Sequence, residues 1–240
     1  MDVSWEELGW ERLGNGVGRR RLPVWDATAA LVAGADRVLL FDTGSSLREG
    51  AELRSQAQRL LGRRVTHIAL SHPHFDHVLG TAVFAGAEVF GAVGVADLLR
   101  NGADELRSSA VHHGVPERDA AEAVDVLVAP HHEVCGEWTL DLGGGLQVLL
   151  ADVGPGHSGY DLAVLVPGSP AVVFCGDLVE QSGEPQAGSD AVPSRWPAAL
   201  DRLLALGGED AVYVPGHGAV VNAAFVRMQR DQLAARFGVS

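Results

Sequence analysis

Residues 71–77 read Ser-His-Pro-His-Phe-Asp-His, which places four metal-ligating side chains, His72, His74, Asp76 and His77, within six positions. Packing does not explain such density. An apolar run at 65–70 leads into the segment and reads as a buried strand. In extended backbone, side chains at i and i+2 point to the same side, so His72 and His74 can share one cation. Asp76 and His77 follow where the chain bends toward a helix. There they can face a second cation, at the roughly 3.5 to 4 Å separation of two-metal sites.

Three later positions share a pattern: Gly156-His157-Ser158, Gly176-Asp177 and Pro215-Gly216-His217-Gly218. Each is expected to end an apolar strand, and each offers a ligand amid glycine or proline, which permits the tight turns that expose a side chain at a strand end.

An H-x-H-x-D-H segment followed in order by a lone His, a lone Asp and a lone His resembles the signature of the metallo-β-lactamase superfamily, over roughly residues 30–220. The resemblance implies that His72, His74 and His157 hold one metal, that Asp76, His77 and His217 hold another, and that Asp177 bridges them. It implies a four-layer αββα sandwich, two mixed sheets flanked by helices, with the site along one edge. Residues 1–240 are read as a single domain of this type. Asp177 stands where antibiotic-degrading members use cysteine, so the chain looks like the hydrolase branches. Zinc is the expected metal; iron and manganese are compatible, because His and Asp ligands accept all three.

The mechanism implied is dinuclear hydrolysis. A water between two divalent cations has its pKa lowered toward about 7, and the hydroxide attacks the carbonyl of a small ester, thioester or lactone. Asp76 is placed to orient that hydroxide and pass a proton to the leaving group. Asp42, near a strand end, is expected to hydrogen-bond a ligand's ring N–H. The motif set is also similar to that of glyoxalase II, although only 23 residues follow His217, fewer than that family's helical substrate domain. The alternative from another class is a persulfide dioxygenase-like oxidoreductase with one iron held around His72, His74 and Asp177. A metal-binding protein without turnover is the third.

Acidic residues outnumber basic ones, 31 to 18, which disfavours a nucleic-acid partner. A small-molecule substrate is expected instead. The two cysteines, Cys135 and Cys175, lack metal-site spacing and read as half-buried core thiols. Phe41-Asp42-Thr43-Gly44 matches the D-T-G of aspartic proteases, but a second copy is absent and the histidines would then have no purpose. Arg19-Arg20-Arg21 superficially resembles a twin-arginine export signal; Asp26 interrupts the apolar stretch at 22–34 behind it, so that stretch reads as the first strands and a cytoplasmic protein is expected. No apolar run approaches the roughly 18 residues of a membrane helix, so no membrane partner is expected.

Apolar runs at 30–33 and 38–41 flank Gly34-Ala35-Asp36-Arg37 and predict a β-hairpin. The spacing of Leu53, Ala57, Leu60 and Leu61 predicts a helix over 47–61 closed by Gly62. After the histidine segment come a helix at 78–84, a strand at 87–93 and a helix at 95–100. Residues 101–134, with His112-His113 and His131-His132, lack a period and read as loop or helical insertion. Strands at 138–142, 146–151, 162–166 and 171–174 predict a meander, followed by a polar loop at 180–194, a helix at 196–206, a strand at 211–214 and a helix at 222–237. The loops 101–134 and 180–197 are the segments that can shape or gate a pocket.

Overall fold

The computed structural model describes residues 3–239. An N-terminal hairpin, β1 (Glu11–Gly14) and β2 (Val17–Arg21), is followed by β3 (Thr28–Ala33), β4 (Val38–Phe41), β5 (His67–Ala69), β6 (Glu88–Ala92) and β7 (His132–Val134). These form one seven-stranded sheet in sequence order, antiparallel as far as β4 and parallel from β4 to β7. The second sheet has five strands, β8 (Glu137–Gly143), β9 (Leu146–Asp152), β10 (Leu162–Val166), β11 (Val172–Glu180) and β12 (Val212–His217). It is antiparallel except where β11 and β12 run parallel.

Strand periodicity sorts the apolar residues into layers. In β3 and β4, Ala29, Leu31, Val38 and Leu40 pack toward helices α1 (Leu47–Leu61), α2 (Phe75–Val78), α3 (Val95–Asn101), α4 (Ala103–His112) and α5 (Glu117–Asp125). Their neighbours Ala30, Val32, Leu39 and Phe41 face the other sheet and meet Leu150, Val164 and Phe174. The Phe41 and Phe174 rings stack there at 5.5 Å. On the far face of the second sheet, Val173, Cys175 and Tyr213 pack against α6 (Trp196–Gly207) and α7 (Ala223–Phe237). Strands buried on both faces must be apolar at successive positions, which is why they read as continuous runs. Each large side chain buried this way contributes about 1.5 to 3 kcal/mol. The layers are helix, sheet, sheet, helix, in agreement with the expected αββα sandwich.

Local signals decide the element ends. Ser46 caps α1 by accepting from the Glu49 amide at 3.2 Å, and Gly62 closes it in the left-handed region at φ 65°. Asn222 caps α7 in the same way, so the helix starts one residue later than expected.

Several expectations need correction. The helix expected at 78–84 is instead α2, which begins inside the histidine segment, followed by a 3-10 turn at Thr81–Val83. Pro73 and the extended His74 fix where α2 begins, with His74 at φ −89°. Residues 101–134 are mostly α4, α5 and β7, so His112 ends a helix and His132 lies in a strand. The hairpin β1–β2 escaped the sequence reading because charged residues occupy most of it; Arg19, Arg20 and Arg21 all lie in β2. Cys175 is buried, whereas Cys135 is exposed in the turn before β8. Among the described residues, no helix is long and apolar enough to cross a membrane.

Candidate metal centre

The seven sequence-selected ligands come from five segments at one edge of the two sheets. His72 and His74 lie in the turn that leaves β5, and Asp76 and His77 lie in α2. That turn is tied across to the second sheet, because the Leu162 amide donates to the Ser71 carbonyl at 2.7 Å. His157 stands in the loop between β9 and β10, and His217 is the last residue of β12. Asp177 corrects the expectation of a strand end. It lies within β11, just after Gly176, where the pairing with β12 shifts register and the backbone turns left-handed at φ 56°. The bulge aims Asp177 at the histidines without ending the strand. Gly216 opposite is obligatory for close approach, since a Cβ there would collide with Asp177 Oδ1.

These ligand atoms fall into two groups, His72, His74, His157 and Asp177 in one and Asp76, His77 and His217 in the other. Asp177 approaches both: its Oδ2 is 3.6 Å from His72 Nε2, 3.5 Å from His157 Nε2 and 3.2 Å from His217 Nε2, and its Oδ1 is 3.2 Å from His77 Nε2. Asp76 Oδ2 lies 3.5 Å from His77 Nε2 and 3.4 Å from His217 Nε2. His157 Nε2 sits 3.0 Å from His74 Nδ1.

Each imidazole has its outward nitrogen engaged by the protein. His77 Nδ1 donates to Asp42 Oδ2 at 2.8 Å, His217 Nδ1 to the Trp25 carbonyl at 2.8 Å, and His157 Nδ1 to the Gln186 carbonyl at 3.1 Å. His74 Nε2 is 2.9 Å from Asp190 Oδ2. His72 Nδ1 is 2.9 Å from Ser71 Oγ, whose own proton goes to Asp42 Oδ2 at 2.7 Å, so Ser71 accepts from His72. A ring that donates through its outward nitrogen turns the other one inward, and the five inward nitrogens gather around the two carboxylates. His72 Nε2, His77 Nε2 and Asp177 Oδ1 are buried with no hydrogen-bond partner. Buried polar atoms are rarely left so, because each unmade bond costs about 1 to 3 kcal/mol. Imidazole nitrogen and carboxylate oxygen donors in this arrangement fit divalent cations such as zinc, iron or manganese.

The electrostatics show the same demand for positive charge. Burial raises the pKa of Asp177, but the imidazoles of His217, His77 and His72 outweigh it and hold the carboxyl well below its usual range. For His77, burial lowers the pKa, and the carboxylates of Asp177, Asp76 and Asp42 override it and raise the ring well above 6.5. His217 is lifted to about 9 against its own burial, chiefly by Asp177. His72 and His157 stay neutral, because burial dominates for both and takes His157 down to about 4.

Asp42 itself is buried at φ 57°, a left-handed conformation that aspartate tolerates. Both its oxygens are committed to Ser71 and His77, which leaves nothing for protease-type chemistry. His113 lines the cleft beside the ligands, whereas His67 bonds locally to Thr66 Oγ1 at 2.8 Å and His132 pairs with Glu88 at 2.7 Å. Asp161 does not face the cleft. It accepts from the Ser158 amide at 3.0 Å and hydroxyl at 2.8 Å, folding the loop that carries His157. Sequence reasoning missed Asp190, Gln186 and the Trp25 carbonyl. Asp190 sits in a polar Gly-Ser-Asp stretch with no distinguishing pattern, and the other two contribute backbone atoms, which side-chain identity does not reveal.

The metallo-β-lactamase superfamily profile matches residues 22–217. The chain is 30% identical over 200 residues to the metallo-β-lactamase domain-containing protein 1 of Xenopus laevis, spanning 80% of this chain and 71% of that protein. It is 26% identical over 170 residues to a hydroxyacylglutathione hydrolase of Nitrosococcus oceani, spanning 71% of this chain and 55% of that one. Among solved structures, a metallo-β-lactamase from Pontibacter korlensis superposes with a TM-score of 0.74 at 20% identity, covering 93% of this chain and 97% of that one. The metallo-β-lactamase FIM-1 of Pseudomonas aeruginosa, in its mono-zinc form, superposes with a TM-score of 0.72 at 19% identity, covering 96% of each chain. The last two likenesses establish the fold. With the profile covering most of its length and the ordered ligand set gathered at one sheet edge, the chain belongs to the metallo-β-lactamase superfamily.

Proposed function

We propose that this protein is a dinuclear metal-dependent hydrolase acting on a small ester, thioester or lactone. The observation that carries the reading is the set of five imidazoles, each tied by one nitrogen to a protein partner, with the other turned toward Asp177 and Asp76. His72, His74 and His157 would hold one cation, Asp76, His77 and His217 the other, and Asp177 would serve both. Two divalent cations, zinc by default, would supply Lewis acidity and an acidified water at neutral pH.

The chain's own residues set the geometry of the reaction. Asp42, Ser71, Asp190 and two backbone carbonyls hold the ring orientations, so little reorganisation accompanies turnover. Asp76 lines the cleft, and its carboxylate is the group able to orient the attacking oxygen, hold its proton and return it to the leaving group. The family resemblance to a hydroxyacylglutathione hydrolase supports hydrolysis as the reaction class. Zinc-loaded protein assayed against ester, thioester and lactone panels tests the reading, with His157→Ala and His217→Ala as controls. Turnover lost in both variants is expected. A single bound iron with thiol-dependent oxygen uptake would overturn it in favour of oxidation.

A further inference from the structure

The ligands open into a cleft of about 530 Å³, within the usual range for a small-molecule site. Its walls differ in kind. One is aromatic: the Trp25 and Phe75 rings meet edge to face at 5.3 Å, and His113 stacks on Phe75 at 5.3 Å with 23° between planes. Phe75 stands between His74 and Asp76 in sequence, so this wall begins beside the reacting centre. The lining also carries Glu180, Glu184 and Asp190, the last bonded to His74.

No arginine lines the cleft among the described residues, and the chain contains no lysine anywhere. Away from the ligand end, where the cations of the hydrolase reading would sit, a carboxylate on the substrate arm would find no guanidinium or ammonium partner and would share the cleft with Glu180, Glu184 and Asp190. Like charges facing each other in a partly desolvated cleft are strongly disfavoured, and an unpaired buried charge more so. A flat apolar face would bury against Trp25 and Phe75, and a cationic group would gain from ring faces and glutamates together.

We propose that the substrate arm filling this cleft bears no negative charge: it is a flat apolar group, neutral or cationic, and carboxylate-bearing arms are selected against. This assignment rests on the hydrolase reading above for where the scissile bond sits. It also predicts that a glutathione conjugate, with its two carboxylates, is a poor substrate.

The test uses zinc-loaded protein and three phenylacetyl thioesters that differ only in the thiol: N-acetylcysteamine (neutral), thiocholine (cationic) and glutathione (anionic), with thiol release as readout. The glutathione thioester is expected to have kcat/KM at least about tenfold below the other two, the scale of one cation–π or ion-pair term. Glu184→Arg is expected to narrow that gap. Trp25→Ala, which keeps the carbonyl that holds His217, is expected to raise KM for the phenylacetyl ester of N-acetylcysteamine more than for its acetyl ester. Equal or faster turnover of the glutathione thioester overturns the assignment. If none of the three is hydrolysed, the hydrolase reading fails and the charge assignment is read separately by calorimetry. Benzyltrimethylammonium is then expected to bind at least about tenfold more tightly than benzenesulfonate, and equal binding of the two overturns it.

Discussion

Asp42 Oδ2 lies 2.8 Å from His77 Nδ1, while the Nε2 of the same ring is buried without a hydrogen-bond partner and stands 3.2 Å from Asp177 Oδ1. The carboxylate at the end of β4 thus sets the direction in which a ring nitrogen on α2 points. Asp42 also accepts from the Ser71 amide at 2.7 Å, so one side chain ties the ends of two neighbouring strands to the centre.

Removing that carboxylate has two separable effects. Asp42→Asn keeps the shape, yet its amide cannot fully replace the carboxylate's acceptors; zinc affinity is expected to fall about 10- to 100-fold with the fold intact. Asp42→Ala strands the Ser71 amide and the His77 N–H, and is expected to destabilise the protein by about 2 to 4 kcal/mol in chemical denaturation. Unchanged zinc affinity in the Asn variant would show that ring orientation does not depend on Asp42.

The histidine pKa shifts predict proton release on metal binding. In metal-stripped protein the neighbouring carboxylates hold His77, His217 and His74 above the ordinary imidazole range against their burial. Zinc binding must displace protons held there, and calorimetry in two buffers of different ionisation enthalpy should report a net release. The linkage has a definite sign. A His raised in the folded state stabilises below its unfolded pKa near 6.5, and that contribution is lost as pH rises through its folded value, about 9 for His217. His157, lowered to about 4, acts oppositely and weakens the fold as pH drops from 6.5 toward 4. The stripped protein should therefore be most stable near neutrality, and His217→Gln should flatten the alkaline limb of a Tm-versus-pH curve.

Much of the centre is legible in the sequence because metal ligation is a side-chain property with strict residue types. His72, His74, Asp76, His77, His157, Asp177 and His217 announce themselves by identity and order, and the structure gathers them into two adjoining groups. Helix α1 was equally legible, since its cap, its apolar stripe and its closing glycine agree. The bulge at Gly176 was not, because the register between β11 and β12 depends on a pairing partner some 40 residues away. Residues 101–134 concealed two helices whose buried positions are Leu106 and three alanines, Ala110, Ala120 and Ala123, too few and too small to mark an apolar stripe.

Gly216→Ala tests the bulge geometry. A methyl group there occupies the space of Asp177 Oδ1, and the carboxylate must swing away from the histidines. Zinc affinity is expected to drop at least about tenfold, as for loss of an orienting contact, with the far-UV circular dichroism unchanged. Full zinc affinity in this variant would mean that the strands part easily at the centre.

Asp190 connects the polar loop to the first group of ligands through His74 Nε2. The same loop accepts from His157 through the Gln186 carbonyl and donates from the Val192 amide to the Gly156 carbonyl at 2.9 Å. Asp190→Ala is expected to lower zinc affinity about tenfold and to increase protease cutting within the loop, whereas Asp190→Glu should restore part of both. A variant indistinguishable from the parent in zinc titration would assign the loop no part in holding His74.

In the proposed centre two cations lie among five imidazoles and the carboxylates of Asp76 and Asp177. Anomalous diffraction at the zinc edge, from crystals grown with zinc, locates them. Two peaks per chain are expected: one about 2.0 to 2.2 Å from His72 Nε2, His74 Nδ1 and His157 Nε2, the other equally close to Asp76, His77 Nε2 and His217 Nε2, with Asp177 touching both. Peaks only at surface histidines such as His112 or His132, or no peak beside Asp177, would contradict it.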